Sequence, residues 1–343
     1  MKKLFALILA LALSLSLFGC GAGNGDTKTP DDAANGTEET ADNFYKGKTV
    51  TVVCPFGAGG DTDYNARLVA QCLSDKLGGN FIVQNVTGNT GSVGAKQVLD
   101  ADPDGLTMLF SHTALVCNQA AGLVDFGYQD FDMCCIAADK DGGTYYMRTD
   151  NPYGITDLAS LVAYTKDHPG ELTMTANVGG TSHLGALIMK DYGANCALVD
   201  FGGASERLAA LLGSQVDVAT CAYAAAKEYV DSGEFFCLGY LSKEVNPEMD
   251  PEQYPCLTEL GVPESWSMYY SVAFPKGVDP EIISLVSETI GDMVLNDTDY
   301  AANIAETYAQ SPCYYDTDDT LKIYGEMYDT ALKYADALKS GHL

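Results

Sequence analysis

Past residue 43 the chain alternates short apolar runs with amphipathic stretches, and glycine-rich loops separate them. Thr49-Val50-Thr51-Val52-Val53-Cys54 is β-branched and apolar throughout, which predicts a strand buried on both faces. Pro55 ends it, and Gly57-Ala58-Gly59-Gly60 follows as a loop. Asp61 or Thr62 can cap a helix here, because a side-chain oxygen accepts the unpaired N–H groups of a first turn. Ala66, Val69, Cys72, Leu73 and Leu77 then recur at helical spacing, and Gly78-Gly79 stop the helix. Phe81-Ile82-Val83 predicts the next strand. Gly88-Asn89-Thr90-Gly91 leads into a helix carrying Val93, Ala95, Val98 and Leu99, and Leu106 to Phe110 predicts a third strand ending at Ser111-His112-Thr113. This β-α-β-α-β order predicts an α/β fold with a parallel, twisted sheet covered on both faces. Ligands bind such sheets at the carboxyl ends of the strands.

The same rhythm restarts downstream. Thr144-Tyr145-Tyr146-Met147 predicts a strand, Asp157 to Lys166 a helix, and Leu172 to Ala176 a strand that enters Gly179-Gly180-Thr181-Ser182-His183. A helix with Leu184, Leu187 and Ile188 follows. Ala197-Leu198-Val199 enters Gly202-Gly203-Ala204-Ser205, then a helix carries Leu208, Leu211 and Leu212, and Val216 to Ala219 predicts a further strand. Ser271 to Pro275 is a late strand, and helices are expected over the rest. A chain that starts one α/β unit, builds a second and returns is joined by two crossing strands. The candidates lie near 144–149 and 269–275, and the geometry makes a hinged cleft. Trp266, Tyr269 and Tyr270, near the return, read as core.

The first residues are an address. Lys2 and Lys3 precede an apolar run from Leu4 to Phe18, shorter than the roughly 20 residues that span a bilayer. It fits a secretory signal. Gly19 before a lone Cys20 resembles a bacterial lipobox, which predicts cleavage after residue 19 and a lipid on Cys20. Residues 20–43 lack large apolar side chains up to Asn43 and are expected to be a disordered tether. The expected place is therefore outside the cytoplasm, lipid-anchored to the cell membrane.

Charge and composition narrow the chemistry. The 343 residues carry a formal charge of −28, which excludes nucleic acid as a partner. Ten cysteines remain after Cys20; without C-x-x-C pairs they read as mostly buried free thiols, with one or two bridges allowed. The four His are scattered, so no metal site is expected. Nucleophile-elbow, zincin and dinucleotide patterns are missing, so neither a cofactor nor a reaction is expected. What remains is backbone. Loops 57–62, 88–92, 179–183 and 202–205 each put glycine before a helix N-terminus, whose free N–H groups and partial positive charge suit a carboxylate. Thr62, Thr90, Ser111, Thr113, Thr181, Ser182 and Ser205 add hydroxyls. With only three Arg, at 67, 148 and 207, recognition is expected to rest mainly on main chain. His183 could be a base or a ligand contact, but a first-turn residue paired with backbone is the better reading. Asp63 reads as a cap and Arg67 as half of an ion pair.

Val53-Cys54-Pro55-Phe56-Gly57-Ala58-Gly59-Gly60-Asp61-Thr62-Asp63, with Ala66-Arg67, resembles the opening of tripartite tricarboxylate transporter receptors, the Bug proteins. Agreement continues at 88–95, 101–108, 180–184, 212–218 and 257–263, in order, over nearly all of 48–335. The resemblance implies a two-lobed periplasmic binding protein of type II. Each lobe is a mostly parallel sheet flanked by helices, with lobe 1 at 44–147 plus 272–343 and lobe 2 at 148–271. It implies a monomer that closes over a small organic carboxylate and hands it to a two-component integral membrane permease. The implied first-lobe contacts are Phe56, Gly57, Ala58, Gly59, Gly60, Thr62, Asp63, Ser111, His112 and Thr113. The second-lobe share falls on Gly179, Gly180, Thr181, Ser182 and His183, and on Gly202, Gly203 and Ala204. Asp200-Phe201-Gly202-Gly203 and Ala219-Thr220-Cys221-Ala222-Tyr223 depart from the family pattern, so substrate identity does not carry over. Asp200, if it faces the cleft, favours a ligand with an amine. The alternatives are a cleft enzyme using His183 and Asp200, or a ligand sensor for a membrane kinase.

Overall fold

The computed structural model describes residues 43–201, 204–221, 223–243, 245–246 and 249–340. The expected signal, Cys20 and the tether up to residue 42 lie outside these residues. So do Gly202 and Gly203. In chain order the first elements are β1 (Thr49–Cys54), α1 (Asp61–Leu77), β2 (Asn80–Asn85), α2 (Ser92–Leu99), β3 (Thr107–Ser111), α3 (Ala114–Ala120) and β4 (Phe131–Asp141). Then come β5 (Thr144–Arg148), α4 (Leu158–Asp167), β6 (Thr173–Ala176), α5 (Thr181–Tyr192), β7 (Ala197–Asp200), α6 (Ala204–Leu212), β8 (Ala219–Cys221), α7 (Tyr223–Asp231) and β9 (Phe235–Tyr240). The chain closes with β10 (Ser267–Pro275), α8 (Pro280–Asn296), α9 (Thr298–Tyr308), β11 (Ser311–Tyr315), α10 (Thr317–Leu332) and α11 (Ala335–Ser340).

Six strands form one sheet in the order β11-β4-β10-β3-β1-β2. Its β2-β1-β3 portion is parallel, as the first α/β repeats predict. The other portion corrects that expectation: β10 runs antiparallel to both β3 and β4, and β11 antiparallel to β4. The reason is topological. A chain that leaves a sheet by one strand and re-enters beside it must run the two in opposite directions. β4 and β11 were not expected at all. β4 is an apolar run without alternation, and β11 is a short edge strand in a helical C-terminal region.

Burial on both faces explains the continuous apolar strands. Val52 packs with Val50, Met108 and Phe110 in a core shared with Ala66, Val69 and Leu73 of α1 and with Val286 and Ile290 of α8. Its neighbour Val53 points the other way, into a core with Leu109, Val98 and Ala273. That second core runs on without a break to Met147, Met174 and Leu184. A third cluster, with Tyr146, Leu211, Phe235 and Cys237, lies under α6 and α7.

The remaining strands make a β8-β5-β9 sheet and a parallel β6-β7 pair, with a parallel bridge from Met174 to Val218. The strand expected to cross near 144–149 is β5, the middle of the three-stranded sheet. The passage between sheets is Gly142-Gly143, just before it. Gly142 N donates to Leu241 O at 2.7 Å, and a Cβ on Gly142 would lie 2.2 Å from Trp266 O. The return enters the six-stranded sheet at Ser267, earlier than expected. Trp266 and Tyr270 are buried, as expected for core. The ten described cysteines are unbridged, and eight of them are buried.

Candidate functional site

A cavity of about 360 Å³ opens where strands of the large sheet and of the smaller sheets end. The large-sheet side supplies Phe56 after β1, Asp61 at the start of α1, Thr90, His112 after β3, and Lys140 to Gly143 at the end of β4. The opposite side supplies Asn177 after β6, Gly180, Thr181 and Ser182 at the start of α5, Arg207 of α6, and Thr220 and Cys221 of β8. Thr90 and Gly180 nearly meet across it: a Cβ on Gly180 would lie 3.4 Å from Thr90 Cγ2. Because α5 begins at Thr181, its first-turn N–H groups belong to this wall, and such groups favour an anion.

Four charged side chains line the cavity. Lys140 Nζ donates to Asp61 Oδ2 at 3.0 Å, and Tyr270 donates its hydroxyl to the same oxygen at 2.9 Å. Burial pushes the Asp61 carboxyl up, but Lys140 and the two hydrogen bonds outweigh it and hold the carboxyl well below its usual range. Burial likewise pushes Lys140 down, and attraction to Asp61 and Asp141 brings it above its ordinary value. Both therefore stay ionised as a pair. Arg207 is locked by its own donors: Nε gives to Thr220 O at 2.6 Å and Nη1 to Phe201 O at 3.2 Å. Asp141 Oδ1 accepts from Gly143 N at 3.0 Å and Thr144 Oγ1 at 3.1 Å, which bends the chain from β4 into β5. Asp141 Oδ2 is buried without a hydrogen-bond partner among the described residues. Burial pushes this carboxyl up, and Lys140, Thr144 and Gly143 recover only part of the shift.

His112 stacks on Phe56 with ring centroids 4.2 Å apart, and its Nδ1 accepts from Ala114 N at 3.1 Å. Burial holds it down to about 4, against Asp61, so it is neutral near pH 7.

Of the candidate contacts singled out in the sequence, the cavity brings together Phe56, Thr90, His112, Gly180, Thr181 and Ser182. Gly57, Ala58 and Gly59 are exposed and, with Gly60, lie outside its lining. Their loop is closed on itself. Gly59 N donates to Asp63 Oδ2 at 2.9 Å, and Gly60 N donates to Gly57 O at 3.3 Å. Asp63 is thus a brace. It also accepts from Arg67 at 2.8 and 2.9 Å, the expected ion pair, and from Asn85 at 2.8 Å. Burial would raise its carboxyl, but these donors lower it. The helix cap expected from Asp61 or Thr62 is replaced by Gly60, which has no side chain to give; Thr62 is buried. Ser111 and Thr113 are buried and outside the lining; Ser111 Oγ donates to His112 O and Thr113 Oγ1 to Ser267 O, each at 3.5 Å.

On the other side, His183 is fully buried and its Nδ1 accepts from Gly179 N at 3.1 Å, the first-turn backbone pairing expected for it. Asp200 is exposed, outside the lining, and accepts from Val178 N at 3.1 Å. His183 and Asp200 are therefore not assembled at the cavity. Ala204 is the first residue of α6.

Pattern reading named Asp61 only as a cap and Arg207 only as one of three arginines, flagged Thr220 and Cys221 only as a departure from the family pattern, and missed Lys140, Asp141 and Asn177 altogether. The expectation of mainly main-chain recognition overlooked two cations. One signal was present. Lys140-Asp141 interrupts an apolar run and stands directly before Gly142-Gly143, and charges at a buried strand end before paired glycines mark a functional turn.

A family model described as tripartite tricarboxylate transporter family receptor matches residues 65–329. Protein BugT of Bordetella pertussis strain Tohama I is 29% identical over 253 residues, covering 72% of this chain and 77% of BugT. Among solved structures, R. palustris Rpa4515 with adipate superposes with a TM-score of 0.71 at 23% identity, covering 86% of this chain and 98% of that one. MatC (Rpa3494) from Rhodopseudomonas palustris with bound malate gives a TM-score of 0.65 at 21% identity, covering 85% and 98%. At these identities the solved structures carry the two-lobed periplasmic binding fold alone. The family model spans most of the chain, from within α1 through the β4-to-β5 passage and Arg207. This chain belongs to the tripartite tricarboxylate transporter receptor family and is a solute receptor, not an enzyme.

Proposed function

We propose that this receptor captures a small organic carboxylate in the cavity between its sheets and delivers it to a two-component, ion-coupled membrane permease. The observation that carries the reading is Arg207, a guanidinium fixed by two carbonyls and set in a cavity wall beside the N-terminus of α5. A carboxylate there meets a pre-oriented cation and helix N–H groups, with little ordering left to do. Relatives of the fold with adipate and malate in their sites support the ligand class.

In this reading lobe 1 is 44–147 plus 272–343 and lobe 2 is 148–271, and the chain works as a monomer. Cavity walls from both sides mean that the ligand stabilises the closed form by its differential affinity for it. Cys20 after Gly19 supports lipid anchoring at the outer face of the cell membrane, with residues 20–43 as the tether. Phe56, His112, Thr181 and Ser182 are the proposed contacts nearest the ligand. The loop 57–60 with Asp63 shapes the wall behind Phe56.

A thermal-unfolding screen of mono-, di- and tricarboxylates and of amino acids tests this. A bound acid at 100 times its Kd stabilises the protein by about 2.7 kcal/mol. Absence of a shift with every carboxyl compound would sink the reading.

A further inference from the structure

The loop between β2 and α2 carries backbone strain at one residue of the cavity lining. Gly88, Asn89, Thr90 and Gly91 have φ of 138°, 44°, 54° and 90°, so consecutive residues hold a positive φ. Glycine takes such angles freely and asparagine tolerates them, but a β-branched side chain crowds its own backbone there. Among the described residues, the non-glycine positions with positive φ are Asn89, Thr90, Ser214 and Ala309. Of these, Thr90 alone is β-branched and Thr90 alone lines the cavity. Its φ of 54° and ψ of 37° lie in the left-handed region. As a turn residue, glycine at 90 would serve at lower cost, so the threonine side chain is what the strain keeps.

The surroundings hold the turn in this shape. Gly91 N donates to Gly88 O at 3.0 Å, and Asn118 Nδ2 of α3 donates to Thr90 O at 3.0 Å. Gly91 lies so close to Phe56 that a Cβ there would be 2.9 Å from Cζ of the ring. Strained conformations persist where neighbours over-determine them, and they cluster at ligand clamps. The side chain held in this way faces the opposite wall, since a Cβ on Gly180 would lie 3.4 Å from Thr90 Cγ2. Thr90 Oγ1 has no hydrogen-bond partner among the described residues and is not enclosed, so the hydroxyl can both donate to and accept from a molecule in the cavity.

We propose that Thr90 is a ligand-positioning contact for which the strain is kept: the left-handed turn sets its hydroxyl on the bound acid, opposite the start of α5, and its methyl group against Gly180. The proposal rests on the cavity being the carboxylate site. It adds the residue by which the loop after β2 meets what is bound there.

Two substitutions separate strain from contact. Thr90→Gly removes both, whereas Thr90→Val keeps the β-branched shape and the strain and removes the hydroxyl. The purified full chain and each variant are melted without ligand and titrated calorimetrically with straight-chain mono- and dicarboxylates of two to eight carbons and with the L-amino acids. Thr90→Gly should melt about 2 °C above wild type, the relief of strain outweighing the freedom that glycine adds to the unfolded chain. It should nevertheless bind the tightest acid of the panel about tenfold more weakly. Thr90→Val should melt within about 1 °C of wild type and lose a similar share of affinity. Greater stability joined to weaker binding is a pattern that a packing role would not produce. A Thr90→Gly variant that melts below wild type or fails to fold overturns the proposal. Wild-type affinity in Thr90→Val also overturns it, and leaves the carboxylate reading standing. Binding of no acid by the wild type removes both.

Discussion

Lys140 Nζ lies 3.0 Å from Asp61 Oδ2, so the end of β4 is tied to the first residue of α1 beside the cavity that both line. Lys140→Met leaves the Asp61 carboxylate with the Tyr270 hydroxyl and no cation. The expected loss of stability is about 2 kcal/mol, less than for a fully buried pair because a quarter of the Asp61 side chain is exposed. Urea unfolding measures it. The Lys140→Met, Asp61→Asn double variant should lose less than the two single losses together, and strict additivity would show that the contact carries no coupling.

Arg207→Met should weaken the bound acid about 10- to 100-fold, the range of a hydrogen bond to a charged group. Arg207→Lys should restore little. One ammonium cannot hold Thr220 O and Phe201 O and also present a planar fork to the ligand. Titration of whichever acid scores highest in the thermal screen reads this directly. An unchanged affinity in Arg207→Met takes the guanidinium out of the site.

His112 makes stability depend on pH in a defined window. Burial holds it down to about 4 in the folded protein, while a histidine in the unfolded chain protonates near its ordinary value of about 6.5. Between those values the unfolded chain binds more protons, so stability falls as pH is lowered through the window and levels off below it. The full contribution is about 3 kcal/mol. Asp141, pushed the other way, loses stability as pH rises through its raised value and so partly masks the slope. The difference between wild type and His112→Asn isolates the histidine. Parallel stability–pH curves for the two proteins would refute its buried, neutral state.

Gly142→Ala and Gly57→Ala are a matched pair. A Cβ at 142 meets Trp266 O at 2.2 Å, a backbone atom that cannot swing aside, in the two-residue passage Gly142-Gly143 between β4 and β5. The expected cost is about 2–3 kcal/mol. A Cβ at 57 meets nothing within 4 Å, and its expected cost is within about 0.5 kcal/mol. Differential scanning calorimetry compares them. Equal melting temperatures would show that the passage tolerates a side chain.

Much of the fold was legible because period and punctuation are local. The run 49–54, the spacing of Ala66, Val69 and Leu73, and the stop at Gly78, whose φ is 70°, follow from short-range sterics and from burial on both faces. Asp157 was read as the first residue of the next helix; in the structure it stands just before α4 as its cap, its carboxylate accepting from Ser160 N at 2.7 Å. The antiparallel half of the large sheet was not legible. Nothing local to Phe131–Asp141 says that its neighbour is Ser267–Pro275, more than a hundred residues away.

By itself the sequence determined the α/β rhythm and the family to which the chain belongs. It also pointed to Phe56, His112 and Thr181-Ser182, because loops after strands and before helices have predictable backbone chemistry. Only the tertiary structure decided which charges line the cavity. Asp61, Lys140-Asp141 and Arg207 come from three separate stretches, and each could have been an ordinary surface charge on a chain carrying −28 overall. Their meaning depends on distance, and distance between remote residues is set by how the sheets pack. Net charge spreads over a screened surface, whereas a buried site answers to the few groups within a few ångströms of it.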